Sequence, residues 1–165
     1  MLLAPALRGI DALRDALSHP LSILQVLCPD PDPHLEAIRF ERVSRKPEML
    51  RVGFVYCTKG ARVVCTVDLL ADAQVPRPAA LEIDGLRAER RIRLPDYRME
   101  LADGERAVPL PDPLVRHLKE FATQLQSLLA GSAPPDPAPI ACRLALLRAL
   151  VDAFPVESKH CHRDA

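Results

Sequence analysis

LRVGFVYCTKGARVVCTVDLL, residues 50–70, decides the fold. Two runs rich in β-branched and aromatic residues, 50–58 and 61–70, flank Lys59-Gly60, a turn signal. Val52, Phe54 and Tyr56 share one face of the first run, and Val63, Cys65 and Val67 share one face of the second. The pair predicts a hairpin whose apolar side must be buried by something else. Upstream, 34–44 alternates imperfectly, with Leu35, Ile38, Phe40 and Val43 set among Glu36, Arg39, Glu41 and Arg42, which predicts a long strand with one polar face. Downstream, Asp84-Gly85 follows an apolar run at 80–83, and Asp103-Gly104 separates the runs 97–101 and 106–110. Five or more strands in such close succession predict a largely antiparallel sheet.

Helical signals bracket the strands. Pro111-Asp112-Pro113 stops them, and Leu114, Leu118, Phe121, Leu125 and Leu128 then recur at helical spacing until Gly131. A proline-rich connector, 132–139, leads to a last helix over 140–154, with Arg143, Arg148 and Asp152 on its polar side. At the other end, Ile10, Leu13, Leu17, Leu21 and Leu24 form a helical stripe, followed by the breaker CPDPDP at 28–33. Helix, sheet, then two helices predict an α+β domain over 1–158: a predominantly antiparallel open β-sheet with helices packed on one face, and a polar tail at 159–165.

Composition narrows the partners. The 165 residues suffice for one core, with 48% hydrophobic and 27% charged residues, a globular balance. Lysine plus arginine equal aspartate plus glutamate at 22 each, so no bulk field favours nucleic acid or an acidic membrane. No apolar run reaches the ~20 residues that span a bilayer, and the start lacks a basic leader, so a cytoplasmic location is expected. Cys28, Cys57, Cys65, Cys142 and Cys161 are odd in number and scattered, which favours free thiols over a disulfide framework. His160, Cys161 and His162 crowd the tail, but no second cluster completes a tetrahedral set, and no metal site is assigned from sequence.

Within GIDALRDALSHPLS, residues 9–22, Asp15 and His19 stand four apart, on one side of the predicted helix. A carboxylate beside an imidazole suits proton transfer near neutral pH. Pro20 should kink or restart the helix there.

This stretch resembles the helix that opens the second domain in many Gfo/Idh/MocA oxidoreductases, roughly G-x-L-x-D-x-x-x-H-x-x-D. Leu13, Asp15 and His19 fall in register, Gly9 sits a little ahead, and Ser22 replaces the final acidic residue. The resemblance implies that Asp15 lines a substrate pocket and that His19 donates or accepts the proton. It extends over nearly the whole chain, through the strand–turn–strand around Asp84-Gly85 and the closing helices. It implies the substrate-binding and oligomerisation half of an NAD(P)-dependent oxidoreductase acting on a polyol or sugar-like compound. The dinucleotide-binding half is not in this stretch of chain. The six glycines, Gly9, Gly53, Gly60, Gly85, Gly104 and Gly131, form no G-x-G-x-x-G turn, so NAD or NADP is expected only with a separate nucleotide-binding domain. Arg45-Lys46-Pro47 resembles the family's Glu-Lys-Pro but lies after the Asp/His helix, and Lys46 is read as a loop lysine. The alternative is a standalone, non-catalytic binding or dimerising scaffold. In either case a homo-oligomer through the open sheet face is expected, with Val52, Phe54 and Tyr56, or Val63, Cys65 and Val67, as the candidate contact residues.

Overall fold

The computed structural model describes residues 1–5, 9–43, 48–71 and 76–155. In chain order these form β1 (Leu2–Leu3), α1 (Gly9–Ala16), α2 (Ser18–Leu27), β2 (His34–Val43), β3 (Met49–Cys57), β4 (Arg62–Leu70), β5 (Ala79–Ile83), β6 (Leu86–Arg93), β7 (Arg98–Asp103), β8 (Arg106–Leu110), α3 (Pro113–Leu129) and α4 (Ala138–Asp152). One eight-stranded sheet runs β2-β3-β4-β1-β5-β6-β7-β8. The pairing of β1 with β4 is parallel and every other pairing among the described residues is antiparallel, so the α+β class with an open, mostly antiparallel sheet holds. Among the described residues no helix is long and apolar enough to cross a membrane.

The hairpin at 50–70 is the centre of the fold. Val52 pairs with Val67, Phe54 with Cys65 and Tyr56 with Val63. Cross-strand partners share a face, so the two residue sets proposed as alternative surfaces lie on one face, and that face is covered. Val52, Phe54, Tyr56 and Val67 are buried in one core with Leu13, Leu17 and Leu21 of the opening helices and Leu146 and Leu150 of α4. This corrects the expected oligomer contacts: none of these six residues lies on an open sheet face. The opposite face carries Arg39 over Gly53, and the cross-strand row Glu41–Arg51–Asp68, in which Arg51 Nε donates to Asp68 at 2.7 Å.

Local chemistry explains most element ends. Asp84 and Gly85 both take positive φ (49° and 81°), as a two-residue hairpin twisted to match its strands requires. Asp112 caps α3, its carboxylate accepting from the Leu114 N–H at 2.8 Å, with Pro113 at the first helical position. Gly131, at φ 87°, ends α3 as a Schellman turn, with Ser132 N–H donating to Ser127 O and Gly131 N–H to Leu128 O, both 3.0 Å. Strand β1 escaped sequence reading because two residues carry no periodicity.

The helix layer covers only half of the sheet. Leu3 pairs with both the buried Leu69 and with Ala79, which carries the core-side face across β1 into β5. From there the register continues it through Leu81–Ala88, Ile83–Leu86, Ile92–Met99, Leu101–Val108 and Met99–Leu110. Helix α2 reaches only the near edge of this region, where Pro20, Ile23 and Leu27 line a cavity with Leu81 and Ile83, and farther out Leu86 and Val108 are 75% and 63% exposed. Every described side chain of α3 is exposed as well, so its stripe covers neither the core nor this bare face. Helix α3 leaves the edge strand β8 after only two residues, Pro111-Asp112, and Asp112 already spends its side chain on the cap.

Phe54→Ala should cost about 3–5 kcal/mol of unfolding free energy, whereas Leu118→Ala should cost less than about 0.5 kcal/mol in dilute monomer. Chemical denaturation of the two variants checks the contrast. Equal losses would contradict this assignment of core and surface.

Candidate functional site

The helix carrying Asp15 and His19 breaks where proline requires it. Pro20 falls in the first turn of α2, and α1 and α2 are separated at Leu17. The missing proline N–H would have donated to the carbonyl of Ala16. The break is slight, because Leu17 N–H still donates to Leu13 O (2.9 Å) and Leu21 N–H to Leu17 O (3.3 Å). Asp15 and His19 therefore stay on one side, outside the buried stripe formed by Leu13, Leu17, Leu21 and Leu24.

Both line a single concavity of about 180 Å³, together with Arg77 and Arg90. It lies where the helix layer ends and the bare half of the sheet begins, since Arg90 of β6 pairs with Leu101 on that face. No hydrogen bond joins the Asp15 and His19 side chains among the described residues. Arg90 Nη2 donates to the Arg77 carbonyl at 2.9 Å, while its Nε is buried and has no partner among the described residues. An unsatisfied buried donor costs about 1–3 kcal/mol, and a ligand oxygen would satisfy it. The Arg90 guanidinium, an imidazole and a carboxylate around so small a space, with Arg77 in its lining, suit a compact molecule with an acidic group and a hydroxyl. The sequence reading found the Asp/His pair and missed both arginines, which come from 58 to 75 residues away, Arg77 from just before β5 and Arg90 from β6.

The cysteines divide by face. Cys57 pairs with Arg62 and Cys65 with Phe54, so the two thiols sit on opposite sides of the sheet and cannot join. Cys28, Cys57, Cys65 and Cys142 are free. Burial pushes the Cys65 thiol up to about 11, and its Sγ donates to the Val63 carbonyl at 3.5 Å. A second group of chemistry-bearing side chains, His34, Glu36 and Cys57, meets on the polar face at the end of β3. Its signal in sequence is only a His-x-Glu pair, because the cysteine joins through the β2–β3 register. Lys46 and the His160-Cys161-His162 tail lie outside the described residues. No family model, no curated protein and no solved structure matches this chain.

The Cys65 shift has a sign that can be measured. In an unfolded chain the thiol ionises near pH ~8.5, so between that value and about 11 the unfolded state binds fewer protons than the native one. Stability from this residue is complete below pH ~8.5 and falls as pH rises above it. Denaturation midpoints compared between wild type and Cys65→Ala should converge as pH rises from ~8 to ~10.5. A constant gap across that range would show that burial does not hold the thiol neutral.

Proposed function

We propose that the chain is a self-assembling binding module, the standalone scaffold reading, in which α3 of one copy covers the bare half-sheet of a second copy. The observation that carries this is a pair of unpartnered apolar surfaces in one molecule. Leu114, Leu118, Phe121, Leu125 and Leu128 are spaced 4, 3, 4 and 3 residues apart, a strict heptad seam widened by Val115 and Leu129. All seven are at least 42% exposed. The sheet face opposite in character presents Ile83, Leu86, Leu101 and Val108. A seam of this regularity on a solvated helix is costly unless another element covers it. A second copy is the occupant that supplies both halves at once, in a reciprocal two-fold arrangement. The positions flanking the seam (His117, Ala122 and Gln124) carry no like charges to oppose it.

A second reading rests on the concavity at Asp15 and His19. We propose that, joined to a separate nucleotide-binding domain that supplies NAD or NADP, it is the substrate half of a Gfo/Idh/MocA-like oxidoreductase. Asp15 would hold one hydroxyl of a polyol or sugar-like substrate and His19 would exchange a proton with another. Arg77 and Arg90 favour substrates that also carry an acidic group.

Sedimentation tests the first reading. Dimers should form at tens of micromolar chain, and Phe121→Glu should return the protein to monomer with the unfolding midpoint that wild type shows when diluted to monomer. A strict monomer at ~100 μM would overturn self-assembly. For the second reading, a sugar acid should bind the wild-type chain and lose at least ~10-fold in affinity in Arg90→Leu. Equal affinities would remove the pocket assignment.

A further inference from the structure

On the polar face of the sheet, three side chains with metal-ligating atoms meet at one corner. His34 opens β2 and pairs directly with Cys57, the last residue of β3. Glu36 follows two residues on, on the same face. One ligand atom from each, imidazole nitrogen, carboxylate oxygen and Sγ, lies within 4.8 Å of the others. His34 Nε2 and Glu36 Oε1 are 3.2 Å apart. Tetrahedral bonds of ~2.0–2.1 Å to nitrogen and oxygen place two ligands roughly 3.4 Å from each other. The observed separation is that of a direct hydrogen bond between the two side chains, and it is also close to the spacing of two ligands on one ion.

The surroundings prepare these groups to act as ligands. Arg62 Nη2 donates to Glu36 Oε2 at 2.7 Å, which occupies one carboxylate oxygen and turns the other toward His34. That is the outer-sphere arrangement that orients a metal-bound carboxylate. Arg62 is the cross-strand neighbour of Cys57 on β4, which places its guanidinium beside the cluster. The corner is also braced. Asp30 accepts from the Lys59 N–H at 2.8 Å, tying the loop before His34 to the turn after Cys57. Cys57 is buried, while the His34 side chain is 63% exposed, so an ion can enter from solvent and settle onto the sulfur.

We propose that His34, Glu36 and Cys57 bind a divalent ion of the zinc type, with water in the fourth position. The donor set selects the ion: a thiolate with an imidazole suits zinc, whereas magnesium and calcium prefer oxygen alone. Binding takes the Cys57 thiol to thiolate, the proton passing to solvent, and clips the start of β2 to the end of β3. The site stands apart from the Asp15 and His19 concavity and from the α3 stripe, so neither functional reading depends on it.

Zinc alone is the probe, titrated into the reduced full chain against a chromophoric chelator. The tail is a rival ligand set, so the parent carries His160→Ala, Cys161→Ser and His162→Ala. One zinc per chain should persist in that parent. Cys57→Ser and His34→Gln should each weaken binding by more than the ~10- to 100-fold typical of outer-sphere changes. Cobalt in the parent should show a thiolate charge-transfer band that Cys57→Ser abolishes. Because His34 is exposed, His34→Gln leaves folding intact and keeps the test decisive if Cys57→Ser does not fold. Loss of all zinc binding in the tail variant would overturn the proposal, as would unchanged affinity in His34→Gln.

Discussion

Burial of one face of the β3–β4 ladder is the constraint from which the rest of the structure follows. Val52, Phe54 and Tyr56 are at most 1% exposed, and Val67 across from them is 1% exposed. Two adjacent strands turn their large side chains the same way, and the surface they make is too wide for one helix. The broken helix α1–α2 and the distant α4 both close on it. Their own junction is polar: Arg143 Nε donates to Gln25 Oε1 at 2.8 Å, and Gln25 Nε2 donates to the Pro139 carbonyl at 3.1 Å. An edge-to-face pair of Phe40 and Phe154, with centroids 5.1 Å apart, seals the outer strand.

That requirement also explains the asymmetry of the molecule. The helices available to cover the sheet are short, 8, 10 and 15 residues, and all are used on its first half. The longest helix, α3 at 17 residues, leaves from the far edge strand and covers neither half. Beyond β1 the sheet keeps its apolar and charged faces, because alternation is a property of each strand, but among the described residues no helix lies over most of it. Functional readings collect at this boundary. The Asp15 and His19 concavity lies on it, and the uncovered apolar surfaces begin there.

The polar face follows different rules. Charged neighbours there pair across strands, as Arg51 does with Asp68 and Arg62 with Glu36. Such exposed pairs contribute about 0–1 kcal/mol each, so they set register and local orientation more than stability. At the corner where an imidazole and a buried thiol join the pattern, the same cross-strand geometry adds His34 and Cys57 to the Arg62–Glu36 ion pair. Sheet pairing alone is enough to bring them together, since His34 and Cys57 are 23 residues apart in the chain and direct neighbours in the ladder.

What the sequence determined by itself was the kind and order of the elements. Alternation at 50–70, Asp-Gly turns, the Asp112 cap with Pro113, and Gly131 each act through a few neighbouring residues, and each local preference survived folding. The α+β class and the restart of the helix at Pro20 were legible for that reason, as was the common side shared by Asp15 and His19. Only tertiary structure decided which apolar surfaces are covered. The stripes of α1–α2 and of α3 both follow helical spacing, yet one is buried and the other solvated, because coverage depends on where a helix is delivered. Register likewise lay beyond the sequence. It put both candidate surfaces of the hairpin on one buried face, and it brought Arg90 to His19 and Cys57 to His34 across distances that periodicity cannot bridge.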